Sequence, residues 1–208
     1  TQSSSRLVTA SADSVARTER VTEISRQSGY ARGSFLAMGS PCELLVDSNN
    51  RSLVKSLLDV VAGEAWRIED KFSRYLHGNV IDKINGSMGN PVEIDDETAS
   101  LLDFADMLTS LSCGAFDITS GALREVWQFD GSNRGPDQRS VESVLKRVGW
   151  NKVSWQTPFL TMQKGMQIDL GGIGKEYAVD RAAAKLSSQS DVACLVNFGG
   201  DIFATGTP

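Results

Sequence analysis

The sequence has few of the residues that build metal sites, disulfides or nucleophilic triads. It contains three cysteines and one histidine. Cys42, Cys113 and Cys194 lie far apart, so they form neither a CxxC zinc pattern nor an even disulfide framework. Each lies in an apolar stretch, which predicts buried free thiols, although one pairing among them stays open. His77 is the single histidine, which argues against a multi-histidine metal site and makes a Ser-His-Asp triad improbable.

Excess positive charge and long apolar runs are also missing. The 21 Lys and Arg residues are outnumbered by 26 Asp and Glu residues, which gives a formal net charge of −5. Proteins that follow a phosphate backbone usually carry a basic face, so we expect no nucleic-acid partner. No apolar run approaches the roughly 18 residues that a membrane helix needs. The length and the 40% of hydrophobic residues suit one sizeable globular core.

Polar composition marks the start of the chain. Residues 1–33 are rich in Ser and Arg and bury little, which predicts a disordered tail or linker, with order beginning at Phe35. Residues 34–208 are predicted to form one domain. No charged-then-apolar leader begins at Thr1, and the chain stops at Pro208 in a turn-like sequence. We therefore expect either a processed chain or a fragment, incomplete at its C-terminus.

Helical and strand patterns mix without strict alternation, which predicts a mixed α/β fold. Apolar residues at steps of three and four predict helices over residues 52–72, 97–111, 140–148 and 174–187. Short apolar stretches predict strands at 43–46, 92–94, 152–155, 160–163, 166–170 and 193–198. The last of these strands is continuously apolar, so we expect it to be buried on both faces.

The segment 167–186 is the most informative part of the chain. An apolar run ends on Asp169, a double glycine follows at Gly171 and Gly172, and Gly174 opens a helical pattern. A strand, a glycine turn and a helix N-terminus together let backbone N–H groups face an anion. Asp169 could hold a cation or a hydroxyl beside it. The alternative is an ordinary strand-to-helix connection in which the glycines make the tight turn.

Short segments marked by glycine or an acidic residue recur along the chain. They occur at 38–39, 114–117, 169–172 and 199–201, where a helix or strand starts or stops. Asp117, Asp169 and Asp201 are candidates for binding ribose hydroxyls, a ring edge or a divalent metal. Each alone could be a turn glycine with a capping acid, but their recurrence favours a ligand site. Lys175 opposes the helix dipole, so a nearby phosphate would explain its position.

These residues resemble the FAD:protein FMN transferases, the ApbE-type flavin transferases. The matching blocks follow the family's order between residues 35 and 206. They are residues 38–40, 69–75, 114–121, 168–175, 177–180 and 195–201. The resemblance implies an α/β fold of α+β character and of the family's own type. It also implies FAD held in a cleft, with Mg²⁺ on its pyrophosphate.

The resemblance also implies roles for individual residues. FAD would contact Met38, Tyr75, Ala115, Phe116, Asp117, Asp169 and Lys175. The backbone carbonyl of Gly172 would be a metal ligand, and no catalytic residue is assigned. The implied reaction moves the FMN half of FAD to a Ser or Thr hydroxyl of a target redox protein and releases AMP. The implied location is the periplasm or another extracytoplasmic space, with membrane association possible through a lost N-terminal anchor.

Two other functions stay open, because the chain departs from the family's pattern. A FAD pyrophosphatase would use the same site with water as acceptor, and a flavin-binding module would have no turnover. Glu176 stands where the family has glycine, and its carboxylate would repel a pyrophosphate unless it turns outward or pairs with Lys175 or Arg181. The later part of the family's sequence, which completes the metal site, lies beyond Pro208.

Overall fold

The computed structural model describes residues 20–127 and 135–206. The strands in this part are β1 (Thr22–Arg26), β2 (Ala31–Ala37), β3 (Ser40–Val46), β4 (Val92–Glu93), β5 (Ser154–Gln156), β6 (Phe159–Thr161), β7 (Cys194–Phe198) and β8 (Asp201–Thr205). The helices are α1 (Arg51–Phe72), α2 (Val80–Asn85), α3 (Asp96–Leu111), α4 (Gln138–Leu145) and α5 (Gly174–Ser187). Two 3₁₀ turns lie at Gly121–Glu125 and Trp150–Lys152. The predicted mixed α/β class is confirmed.

The larger sheet has five antiparallel strands in the order β1-β2-β3-β7-β8, and the smaller sheet has the order β4-β6-β5. Helices α1 and α5 pack against each other and against the larger sheet. Alternate residues of the strands, such as Phe35, Leu44 and Phe198, are buried in the core. A Cβ on Gly33 would lie 2.6 Å from a methyl carbon of Leu58, so β2 and α1 approach as closely as glycine allows.

Helix α1 forms where the sequence predicts it, for local reasons. The side-chain oxygen of Asn50 accepts hydrogen bonds from the backbone N–H groups of Ser52 at 3.1 Å and Leu53 at 3.2 Å, which caps the helix. Apolar residues at steps of three and four then bury one face. The helix ends at Phe72, and the loop after it contains Ser73, Arg74, Tyr75, Leu76 and His77. This end of α1 positions the candidate site.

Ordered structure begins earlier than the polar composition predicts. Residues 20–33, expected to belong to a disordered tail, contain β1 and the start of β2, with Ile24 opposite Gly33. The expected start at Phe35 is therefore wrong. Strand β1 is at the sheet edge and fully buries none of its residues, so its sequence carries little apolar signal. Residues 1–19 lie outside the described part, so the prediction of a tail there stays a prediction.

Two strand predictions also need correction. Residues 166–170 form no strand, although the segment makes an isolated bridge between Gln167 and Ser120. Strand β7 is buried on one face only, because Leu195 and Asn197 alternate as half-buried residues with the buried Cys194, Val196 and Phe198. Its partners β3 and β8 are antiparallel, and an antiparallel sheet can leave one face open to solvent.

The cysteine prediction is partly wrong. All three cysteines are free, and Cys42 and Cys194 are buried. Cys113 is exposed instead, in the turn that follows α3. No helix in the two described ranges is long and apolar enough to cross a membrane.

A buried carboxylate joins α1 to α5. The side chain of Glu64 is 0% exposed and accepts hydrogen bonds from Arg67 Nη2 at 2.8 Å and Lys185 Nζ at 2.5 Å. Burial by itself would raise the pKa of Glu64, but the hydrogen bonds from Arg67 and Lys185 outweigh it and lower the pKa to about 2. The ion pairs thus keep a charged group inside the helix interface.

Candidate functional site

A cavity of about 370 Å³ opens where the end of α1, the start of α5 and one hairpin turn meet. The residues that line it are Arg20, Met38, Gly39, Ile68, Glu69, Phe72, Ser73, Arg74, Tyr75, Leu76, Asp169, Leu170, Gly171, Gly174 and Lys175. Its volume falls within the range of small-molecule pockets, about 300–1,000 Å³. One wall is apolar, and the others carry cations, acids and backbone groups, which is the usual make-up of a ligand site.

The first wall is a two-residue hairpin turn. Met38 and Gly39 connect β2 to β3 with φ of 52° and 66°, the positive values that a type I′ turn requires. Methionine rarely takes a positive φ, so this turn carries backbone strain. Oε1 of Glu69 accepts a hydrogen bond from the backbone N–H of Met38 at 2.7 Å. The end of α1 thereby holds the strained turn against the cavity.

The second wall is the extended segment ahead of the double glycine. Arg74, on the loop after α1, also lines the cavity and is hydrogen-bonded to this segment. Its Nη2 donates to Oε1 of Gln167 at 2.7 Å, and its Nη1 donates to Oδ2 of Asp169 at 3.2 Å. Nη1 also donates to the carbonyl of Gly121 at 3.0 Å. The Arg74 side chain is only 11% exposed, so these bonds fix the segment firmly.

Asp169 has both carboxylate oxygens engaged. Oδ1 accepts from the backbone N–H of Gly171 at 2.8 Å, and Oδ2 faces Arg74. The backbone N–H of Asp169 donates to the carbonyl of Ile118 at 2.8 Å. The carboxylate therefore shapes the glycine turn, and at 30% exposure it still reaches the cavity.

The third wall is the N-terminus of α5, which has no side-chain cap. The Gly174 N–H donates to the carbonyl of Leu170 at 2.7 Å, but the N–H groups of Lys175 and Glu176 have no hydrogen-bond acceptor among the described residues. The first turn of a helix needs external acceptors for such donors. Lys175 lines the cavity, so an anion there would supply an acceptor for its N–H, with help from the helix dipole.

The side chains of Lys175 and Glu176 lie in different surroundings, one at the cavity and the other at the exposed surface. Lys175 is half-buried, lines the cavity and has no ion-pair partner in the described ranges. Glu176 is exposed and does not line the cavity. The outward orientation that a neighbouring pyrophosphate would require of Glu176 is therefore present.

A match to a known family agrees with this geometry. The model of the ApbE family matches residues 38–208.

The chain belongs to the ApbE family.

Related proteins give the same result. A FAD:protein FMN transferase of Treponema pallidum is 29% identical over 189 residues, covering 85% of this chain and 52% of that protein. One of Haemophilus influenzae is 28% identical over 149 residues, covering 67% and 43%. The crystal structure of the ApbE protein of Thermotoga maritima superposes with a TM-score of 0.78 at 32% identity, covering 86% of this chain and 60% of that one. The predicted fold type is thus confirmed, and this chain spans about half the length of the curated relatives named here.

The fold brings four of the predicted ApbE site residues together. Met38, Tyr75, Asp169 and Lys175 all line the cavity. The Tyr75 ring is half exposed and lies under the guanidinium of Arg124, whose Cζ is 4.5 Å from the ring centre. This cation–π contact with Arg124 holds one face of the Tyr75 ring in place.

The other four predicted residues do not line the cavity: Ala115, Phe116, Asp117 and Gly172. The carboxylate of Asp117 accepts from the N–H and the hydroxyl of Thr119, at 2.8 and 2.6 Å, and from the N–H of Trp150 at 2.8 Å. The Phe116 ring lies close to Gly172, since a Cβ added there would be 3.0 Å from Cε2 of the ring. Contact of these residues with FAD or a metal stays a prediction.

Sequence reasoning missed three charged residues of the cavity. Glu69 and Arg74 both lie within block 69–75 of the family resemblance, so that block held the signal. Arg20 carried no signal, because it lies in a polar stretch. Its guanidinium pairs with Asp70 at 2.6 Å and lies 5.6 Å from the Trp66 ring centre, which brings the start of the ordered chain to the cavity.

Proposed function

We propose that this chain forms the FAD-binding part of a Mg²⁺-dependent FAD:protein FMN transferase. The enzyme would move FMN from FAD to a Thr or Ser hydroxyl of a target protein and release AMP. The observation that carries the proposal is Lys175 at the start of α5: its backbone N–H has no acceptor among the described residues, its ammonium has no ion-pair partner there, and it lines a cavity that also has an apolar wall. The names of the relatives support the same activity.

Each wall of the cavity suits one part of a flavin dinucleotide. The free N–H and the ammonium of Lys175 suit a pyrophosphate. Phe72 and the Tyr75 ring offer apolar and aromatic surface to a flat ring system. Asp169, beside the anion site, suits a hydroxyl or a ring N–H, because an ionised carboxylate only accepts hydrogen bonds.

The proposed reaction needs little covalent chemistry from the protein. The acceptor hydroxyl oxygen attacks the phosphorus on the FMN side and forms a new P–O bond. The bridging P–O bond breaks, AMP leaves with the electron pair, and the hydroxyl proton passes to solvent. The ammonium and the free backbone N–H of Lys175 would stabilise negative charge on the phosphoryl oxygens during this step.

Mg²⁺ enters the proposal from the family alone. The described residues contain no group of three or more His, Cys, Asp or Glu side chains that could hold a metal. Asp169 is already bonded to Arg74 and to the Gly171 N–H, and Gly172 does not line the cavity. These residues do not form a metal site by themselves, and no step of the proposed reaction depends on a position for Mg²⁺. When bound, the ion would neutralise pyrophosphate charge.

The proposed partner is a redox protein that presents an accessible Thr or Ser, and the proposed location is extracytoplasmic. Both follow from the family resemblance. A fusion of the whole protein to alkaline phosphatase, which is active only outside the cytoplasm, tests the location. Activity of that fusion supports export, and loss of activity in a stable fusion contradicts it.

The decisive experiment mixes the whole protein with FAD, Mg²⁺ and a Thr-bearing acceptor. Transfer is read as flavin fluorescence that stays on the acceptor in a denaturing gel, together with released AMP. An acceptor with Ala in place of the Thr, and FMN in place of FAD, are the matched controls. Labelled acceptor with stoichiometric AMP supports the transferase.

The two other functions are distinct outcomes of the same experiment. AMP and free FMN without labelled acceptor would establish a pyrophosphatase. FAD binding without AMP would establish a flavin-binding module. Labelling that is equally strong without this protein would sink the proposal.

A further inference from the structure

We propose that Asn85 is a positioning residue of this site. It fixes Asp169 through hydrogen bonds to the backbone of the preceding residue, Ile168. Asn85 is the last residue of α2. Its Nδ2 donates to the carbonyl of Ile168 at 3.1 Å, and its Oδ1 accepts from the N–H of Ile168 at 2.7 Å. One amide side chain thus satisfies both backbone groups of one residue. The ligand-binding part of this inference rests on the proposed function.

Asn85 takes the place of a neighbouring strand. The segment 166–170 is extended but belongs to neither sheet of the described chain, and its isolated bridge joins Gln167 to Ser120. Ile168 is 0% exposed, so its backbone N–H and carbonyl need partners inside the protein. Without Asn85 these two groups would be unpaired in an apolar environment, which is costly.

Helix α2 gives Asn85 a fixed base. Ile81 and Ile84 are both 0% exposed, which anchors this short helix in the core. At its start, Asn79 accepts from the Asp82 N–H at 2.9 Å and donates to the Ser73 carbonyl at 2.6 Å. The same loop that carries Arg74 and Tyr75 is therefore tied to the helix that carries Asn85.

Arg74 and Asn85 together form hydrogen bonds to three consecutive residues, 167–169. Arg74 holds the side chains of Gln167 and Asp169, and Asn85 holds the backbone of Ile168 between them. Arg74 lines the cavity and could touch a ligand directly, but Asn85 does not line it. Because the Asn85 side chain bonds directly to Ile168, we expect its effect on ligand binding to pass through the segment that ends at Asp169.

The first test is hydrogen–deuterium exchange on the whole protein without ligand. We expect Asn85→Ala to raise exchange about tenfold or more in the peptide covering residues 166–171 and to leave α1 and α5 unchanged. Asn90→Ala is the matched control, because Asn90 donates only to the Ser87 carbonyl, at 2.9 Å, in the turn after α2. Unchanged exchange at 166–171, or an equal rise over the whole protein, would overturn the inference.

A second variant covers the case in which Asn85→Ala does not fold. Asn85→Asp has nearly the same shape and keeps an acceptor for the Ile168 N–H, but it loses the donor to the Ile168 carbonyl. We expect the same local rise in exchange, confined to 166–171. Protection equal to that of the unchanged protein would show that the Asn85 donor does not hold this segment.

The second test is a double-mutant cycle on FAD affinity. We expect Asn85→Ala to weaken FAD binding about fivefold or more, and to change it less than about twofold when Asp169→Asn is already present. Equal losses in the two backgrounds would mean that Asn85 does not act through Asp169. If the unchanged protein binds no FAD, the proposed function fails, while the exchange experiment still decides whether Asn85 positions the segment.

Discussion

The carboxylate of Glu69 holds the backbone N–H of Met38 at 2.7 Å, and both residues line the same cavity. Met38 has a φ of 52°, a value that a methionine seldom takes. The hydrogen bond ties this strained turn to the last turns of α1. Any ligand that contacts Met38 therefore meets a backbone whose position depends on Glu69.

Removing this bond should cost both stability and binding. We expect Glu69→Ala to lower the free energy of unfolding by about 1–3 kcal/mol, since a hydrogen bond to a charged group is lost. FAD affinity should fall as well, because the turn relaxes away from the cavity. Denaturant unfolding and flavin titration measure the two effects.

Glu69→Gln keeps an acceptor oxygen, so its losses should be clearly smaller. Glu23→Ala is a suitable control, because Glu23 is exposed on β1 and its side chain has no hydrogen-bond or ion-pair partner in the described ranges. Equal losses for Ala and Gln at position 69 would contradict a role for the hydrogen bond.

Lys175 and Glu176 form a pair with opposite predicted effects. Lys175→Gln should weaken FAD binding, because it removes an unpaired cation from the cavity. It should also raise the free energy of unfolding by about 0.3–1 kcal/mol, because a cation at a helix N-terminus opposes the dipole. Glu176→Gln should lower it by a similar amount and change FAD affinity by less than about twofold, since Glu176 is exposed outside the cavity.

Isothermal titration and thermal unfolding at low salt give both quantities for the two variants. A stronger effect of Glu176 than of Lys175 on FAD affinity would place the pyrophosphate elsewhere. The lysine effect should also shrink at high salt, as expected for a partly exposed charge.

Acid should weaken the contact between α1 and α5. The pKa of Glu64 falls from an ordinary 4.5 to about 2 in the folded protein, so its ion pairs contribute fully above pH 4.5. That contribution is lost as the pH falls towards 2, because the folded protein must then also take up the proton. The pKa of Glu97 is lowered too, chiefly by its hydrogen bond from Arg67, so it adds in the same direction.

The measurement is the free energy of unfolding as a function of pH. Glu64→Gln should lower it by about 1–3 kcal/mol at pH 7, and the difference from the unchanged protein should shrink below pH 4.5. Glu23→Gln, at an exposed position, should follow the unchanged protein throughout. A constant difference between pH 7 and pH 2.5 would mean that Glu64 carries no charge-dependent stabilisation.

The three thiols should differ in reactivity. Burial raises the pKa of Cys42 to about 11 and also raises the pKa of Cys194, so few thiolates form there at neutral pH. Cys113 is exposed. In the folded protein we expect N-ethylmaleimide to label Cys113 alone, and all three after denaturation. Mass spectrometry of the digested protein identifies the labelled sites, and rapid labelling of Cys42 in the folded protein would contradict its burial.

The sequence by itself determined the elements whose signals are local. The apolar spacing and the Asn50 cap specify α1, and the run from Asp169 through Gly174 marks the start of α5. Helical hydrogen bonds, caps and glycine turns join residues close in the chain, so their patterns can be read from neighbouring letters. The same reasoning failed at β1, where an edge strand needs little apolar surface.

Only the tertiary structure decided which side chains face the cavity. Asp117 and Asp169 both follow glycine-marked or apolar runs in the sequence, yet the Asp117 carboxylate is bonded to Thr119 and Trp150 while Asp169 lines the cavity. Asn85 lies 83 positions from Ile168, the residue to which its side chain is hydrogen-bonded. These long-range contacts form because packing brings distant segments together. Local hydrophobic periodicity and residue propensity do not predict which side chains will be in contact.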